Sequence, residues 1–202
     1  MTTAVDVEAR RTRDRNRGER IQTAARQLFS ERGYHAVSID DIGAAAGITG
    51  PGVYRHFGGK EQILVAVLDR AAAEMWSNVP DGPGRHTIDD FVLAHVDWAV
   101  HHADLVILWH QERRSLPEAD WHRQRRIQRN YLARWVDALV ESRPELDEME
   151  AWVMIRAVVG MIHSIGHYEN ILDRVKLREV LASMSINALR AERPRQLEQS
   201  SP

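Results

Sequence analysis

Apolar residues recur along this chain at three- and four-residue spacing, and the alternating pattern of a strand is missing. Ile21, Ala25, Leu28 and Phe29 form one such stripe. It predicts a helix from about Gly18 to Arg32, closed by Gly33 as a left-handed stop. Ser38, with Asp41 three residues on, has the pattern of a capping box, so a second helix starts there with Ile39 and Ile42 facing inward. Small residues from Gly43 to Ala46 allow close backbone approach, and Gly47 with Ile48 predicts a tight turn. Thr49 then caps a short helix with Pro51 in its first turn and Val53, Tyr54, Arg55, His56 and Phe57 along it. Gly58 and Gly59 end it, and Lys60 opens a longer helix to about Ser77. Beyond the Pro- and Gly-rich segment 78–86, helices are expected near 87–103, 104–116, 117–142, 145–168 and 174–192. The pattern is that of an all-α protein of about nine helices.

Composition narrows the chemistry. The 202 residues are 28% charged and 44% hydrophobic, an ordinary globular balance. Cysteine is absent, which excludes disulfides, a cysteine nucleophile and thiolate metal sites. No apolar run approaches a membrane span, and the arginine-rich first twenty residues lack the apolar core of a signal peptide. A cytoplasmic protein without a membrane partner is expected. The net charge of -2 rules out a uniformly basic nucleic-acid coat. Charge is uneven, however: residues 1–60 hold ten Lys+Arg against seven Asp+Glu, and six arginines crowd between Ala9 and Arg20. Such asymmetry points to an amino-terminal part that meets a polyanion, although a solvated tail has the same composition. The expected organisation is a flexible arginine-rich arm over 1–17, a helix-turn-helix domain over 18–62, a larger helical domain over 63–193 and a disordered tail over 194–202.

Three short helices with a glycine turn between the second and third are the order of a helix-turn-helix, whose third helix enters the major groove. Ile48, Val53 and Phe57 fall on the face that would lock this helix to its supports. Tyr54, Arg55 and His56 fall outward or along the rim, where phenol, guanidinium and imidazole reach phosphates or base edges. Tyr54 also fits a partly packed role, and His56 an ordinary surface position. Lys60, at a helix amino terminus, has the makings of a phosphate clamp. The run from Ser38 to Thr49, followed by Val53 to Phe57 and Lys60-Glu61, resembles the tetracycline-repressor (TetR/AcrR) family over roughly residues 18 to 68. The resemblance implies that Ser38, Thr49, Tyr54, His56 and Lys60 touch the DNA backbone, and that Gly50, Gly52 and Arg55 lie where bases are read. Gly50-Pro51-Gly52 departs from the family's usual pattern and offers few side chains to bases, which leaves direct readout to Arg55 and Thr49. Gly59 stands where a polar cap is frequent. The arm, through residues such as Arg15 and Arg17, could compensate by entering the minor groove.

All six tryptophans lie beyond residue 75. Trp98, His102, Trp109, Arg113, Tyr131, Trp135 and His163 are the set that could converge as a pocket wall, with plain core packing as the competing reading. The stretch His101 to Ile107, then Glu112-Arg113 and Trp135-Val136-Asp137, resembles the sensory half of family members that answer to acyl-CoA thioesters. Arg123, Arg125, Arg126 and Arg129 could meet a phosphorylated headgroup, or form a solvated helix face. His163 and His167 have metal-ligand spacing but no third ligand, so neither metal nor cofactor is expected. Apolar stripes at Met149, Trp152, Ile155, Val159 and Ile162, and at Leu177, Val180, Leu181, Met184 and Ala188, exceed the need of a terminal hairpin and suit a four-helix interface between two copies.

These readings combine into a homodimeric repressor that binds a palindromic double-stranded operator and is released by a small hydrophobic or aromatic effector, with acyl-CoA as one form. The alternatives are an activator, or a small-molecule or metal-sensing module with little operator specificity. An enzyme is not expected: there is no G-x-S-x-G elbow, and Gly59-Lys60 lacks the flanking residues of a P-loop.

Overall fold

The computed structural model describes the backbone of residues 4–77, 79, 86–167 and 172–192, with side chains from residue 14 onward. The expected tail at 194–202, most of the 78–86 segment and the side chain of His167 lie outside the described residues. Among the described residues the elements are α1 (Ala4–Arg32), α2 (Ile39–Ala45), α3 (Gly50–Tyr54), α4 (Lys60–Ser77), α5 (Ile88–His101), α6 (Ala103–Glu112), α7 (Glu118–Ser142), α8 (Glu148–His163) and α9 (Arg174–Arg190), plus one 3-10 turn (Ser164–His167) and no strand. No single helix among them is long and apolar enough to cross a membrane.

Local chemistry explains most of the boundaries. Ser38, Thr87 and Asp147 each accept from the backbone N–H three residues on, while Asp41, Asp90 and Glu150 return a bond to the cap, so α2, α5 and α8 all begin in capping boxes. Gly33 and Gly47 have φ of 79° and 67°, the left-handed conformation that ends α1 and turns the chain after α2. The first helix departs from expectation. It starts at Ala4, so the stretch expected as a flexible arm is helical from there. Exposed pairs Asp14–Arg17 and Arg15–Glu19, at i,i+3 and i,i+4 spacing, favour that continuation.

Hydrogen bonds from Thr87 hold the Asp90 carboxyl below the usual carboxylate range. Because the folded value is depressed, the stabilisation is complete at neutral pH and is lost as pH falls through that value. Melting of the wild type should therefore fall on acidification below about pH 5. Thr87→Ala should cost about 1 kcal/mol at neutral pH and show a weaker acid dependence. An equal acid slope in the variant would remove this assignment.

The chain forms two compact units: residues 1–74 with 104–127, and residues 75–103 with 128–202. This division differs from boundaries at 62 and 63, because α6 and the start of α7 join the amino-terminal helices. In the first unit Arg26 makes a bidentate pair with Asp104 at 2.6 and 2.8 Å. Asp69 of α4 receives both Arg123 and the buried Gln124 of α7. Ile21, Ala25, Leu28, Phe29, Tyr34, Val37, Ile42, Val53, Ile63 and Leu64 form its buried interior. In the second unit α5, α8 and α9 pack on one another, and Phe91, Trp135, Leu139, Ile155, Ile162 and Leu189 are buried.

Candidate nucleic-acid interface

The turn between α2 and α3 is built by close backbone approach. A side-chain carbon on Gly43 would lie 3.0 Å from the Ile48 carbonyl oxygen and 3.3 Å from the Gly50 nitrogen. Arg20 of α1 donates to the Ala46 carbonyl and lies against Gly47, clamping the end of α2. Nothing in the local spacing marks Arg20 for this role, since its partner is 26 residues away. Thr49 caps α3, its hydroxyl oxygen accepting from the Gly52 N–H at 3.3 Å, which leaves the hydroxyl proton available to an acceptor.

Around that cap lies a cleft of about 200 Å³ lined by Arg17, Ile48, Thr49, Gly52, Arg55 and His56. Two guanidiniums, an imidazole and a hydroxyl line it, and no carboxylate does. Arg55 is exposed and its guanidinium passes near Gly52. His56 is half-buried, and Tyr54 is exposed beside the cleft-lining residues of α3. Such a surface can hold a phosphate by charge and a guanine edge by the guanidinium fork. Arg15 is exposed on α1, two residues before Arg17.

Several expectations change here. Lys60 is no phosphate clamp: its ammonium donates to the carbonyls of Tyr34, His35 and Val37 at 2.9, 3.4 and 2.8 Å and sits 4.4 Å from the Tyr34 ring centre. An ammonium has three N–H bonds, and the α1–α2 loop receives all of them. Gly50 and Gly52 are buried rather than presented to bases, because the first turn of α3 packs into α2, with Gly50 against the Asp40 carboxylate. The Ser38 hydroxyl is exposed, but its proton goes to Asp41 in the capping box. Phe57 is half-buried rather than a core residue.

In the second unit, His95 meets His163 at 3.0 Å and Tyr131 at 3.3 Å, with Trp98 and Trp135 against its ring. His102 stands beside Trp98, with ring centres 5.3 Å apart. Five of the expected pocket residues, Trp98, His102, Tyr131, Trp135 and His163, thus come together around His95, a residue outside the expected set. Trp109 and Arg113 belong to the first unit, where Trp109 lies 5.8 Å from Trp121. Arg123 is occupied by Asp69 and Asp120, and Arg125 lies over Trp121, so the basic run is not a uniform solvated stripe. Among the described residues no group of three or more acidic or histidine side chains is placed to hold a metal.

Residues 21–67 match the model of bacterial regulatory proteins of the tetR family. The chain belongs to the TetR family. This is a family of regulators and not of enzymes. The chain is 40% identical over 67 residues to the transcriptional activator FasR of Mycolicibacterium smegmatis, a match covering 33% of this chain and 30% of FasR. It is 29% identical over 146 residues to the transcriptional repressor KstR2 of Mycobacterium tuberculosis, covering 65% of this chain and 71% of KstR2. The match thus spans under a third of FasR and about seven-tenths of KstR2. Among solved structures, the TetR-family regulator PfmR from Thermus thermophilus superposes with a TM-score of 0.72 at 22% identity, over 87% of this chain and 97% of PfmR. AibR, solved in complex with isovaleryl coenzyme A and operator DNA, superposes at 0.69 and 20% identity, over 83% of this chain and 97% of AibR. The TetR fold therefore extends across both units of the chain, well beyond residues 21–67.

Proposed function

We propose that this TetR-family chain is a cytoplasmic transcriptional repressor that binds an inverted-repeat operator as a homodimer and lets go when a small hydrophobic or aromatic effector binds its second unit. The observation that carries the reading is the acid-free cleft of Arg17, Thr49, Arg55 and His56 at the cap of α3. One such cleft binds weakly, and a two-fold pair reads two half-sites. The surface for pairing is on α8 and α9. Met149 and Val153 are 72% and 63% exposed, Met184 is 51% exposed, and Leu177 and Val180 are half-buried beside them. Large apolar side chains left bare in a row mark a surface that another protein covers. Acyl-CoA is a reasonable form of effector, since AibR was solved with isovaleryl coenzyme A.

Gel shift and footprinting on the chain's own upstream region test the reading. The expected result is protection of an inverted repeat, with affinity falling steeply as salt rises. Val153→Lys should yield a monomer by sedimentation and weaken operator binding, with α8 still helical. A tight footprint from a monomeric variant would remove the dimer from the mechanism. Transcription from the protected promoter, with and without the protein, reads repression against activation. Absence of salt-sensitive binding to any inverted repeat would remove the function as a whole.

A further inference from the structure

The second unit contains a polar chain inside an aromatic shell. His95 is 2% exposed, and burial pushes its imidazole down to about 4, so it is uncharged at neutral pH. Its Nε2 faces His163 Nε2 at 3.0 Å and its Nδ1 faces the Tyr131 hydroxyl at 3.3 Å. A neutral imidazole supplies one donor and one acceptor, so both nitrogens are taken whichever tautomer is present. Tyr131 is 1% exposed, and burial raises its phenol well above the ordinary range, so it too is neutral.

Two further donors lack an acceptor at normal geometry among the described residues. The indole N–H groups of Trp98 and Trp135 are buried and make no hydrogen bond among the described residues. Trp135 is directed toward the Tyr131 hydroxyl without closing a bond of normal geometry. Trp98 stacks on His95 with ring centres 6.2 Å apart, and the half-buried His102 lies with its ring centre 5.3 Å away. Buried polar groups in folded proteins nearly always have partners, so a pair of orphan N–H donors beside a saturated histidine calls for an acceptor from outside. The half-buried edges at His102 and His163 give the cluster its contact with solvent.

Arg134 is exposed and lies over the Trp76 and Phe91 rings at 5.8 and 5.6 Å. A carboxylate brought into the interior would be buried without a paired charge, whereas a carbonyl oxygen would gain two donors and need none. We infer that this cluster receives the uncharged carbonyl oxygen of a ring- or acyl-bearing small molecule on the indole N–H groups of Trp98 and Trp135, and refuses carboxylates. The inference rests on the proposal that the second unit senses an effector, and it names the chemistry of that effector's buried end.

Calorimetric titration of the full chain with matched probes tests it. The probes are methyl naphthyl ketone, naphthoate and ethylnaphthalene, with acetophenone, benzoate and ethylbenzene as the smaller set. The ketones should bind at least about tenfold more tightly than the carboxylates. Trp98→Phe, which keeps a ring and deletes the N–H, should weaken ketone binding about tenfold and leave the hydrocarbons unchanged. Trp109→Phe, in the other unit, should bind every probe as the wild type does. Circular dichroism melting reports whether Trp98→Phe is folded, and Trp135→Phe supplies the same test if it is not. Equal ketone affinity in wild type and variant, carboxylates bound as tightly as ketones, or no ketone bound at all would each overturn the inference. Operator binding of the wild type is measured separately, so its failure would remove the proposed function and leave the ketone result standing.

Discussion

Arg55→Ala should abolish most of the preference for operator over unrelated duplex while leaving non-specific binding largely in place. Arg55 is exposed at the end of α3 and lines the cleft, and Gly50, Pro51 and Gly52 before it offer no polar side chain. A guanidinium bidentate to guanine is worth about 1–3 kcal/mol of discrimination, so two half-sites lose roughly 2–6 kcal/mol. Gel shifts against operator and scrambled duplex across a salt series read the result. Arg17→Ala is the informative companion. Arg17 comes from α1 and not from the recognition helix, so its loss should weaken all sequences alike and lower the salt slope by about 0.9 per phosphate contact removed. Equal loss on operator and scrambled duplex for Arg55→Ala would mean that bases are read elsewhere.

Gly43→Val should destabilise the first unit more than any surface change in the same motif. The new side chain would press on the Ile48 carbonyl, the Thr49 carbonyl carbon and the Gly50 nitrogen, all main-chain atoms that cannot rotate away. Overpacking of this kind costs about 1–3 kcal/mol, a fall in melting temperature of roughly 2–12 °C for a chain of this size. The damage also displaces Thr49 and with it the start of α3, so operator affinity should drop beyond what stability alone predicts. Gly59→Ser is the control: nothing lies within 4 Å of a side chain there, and serine at a helix start should be neutral or stabilising by a few tenths of a kcal/mol. A normal melt for Gly43→Val would show that α2 and the turn can part at little cost.

Legibility in the sequence followed the range of the interaction concerned. The capping box at Ser38, the Thr49 cap and the left-handed glycines act within about four residues, so residue type and spacing disclosed them. The stripe Ile21, Ala25, Leu28 and Phe29 is buried as its periodicity implied. The side chains of the interface were less legible. Lys60 looked like a free cation because its acceptors are the carbonyls of a loop 23 to 26 residues away. Arg20 looked like one more arginine of a basic run, although it holds the turn. His95 sits on an apolar helix face, and only folding brings His163 and Tyr131 to its two nitrogens.

The sequence by itself determined the all-α class, the order of the helices, the glycine turn and the family, because each depends on neighbours along the chain or on a contiguous motif. Tertiary structure alone decided which cations remain available to DNA, that α6 and the start of α7 join the amino-terminal helices, and which aromatic rings surround His95. Those outcomes are set by ion pairs and packing between residues far apart in the chain, such as Arg26 with Asp104 and Asp69 with Arg123, and no local spacing encodes such a pairing.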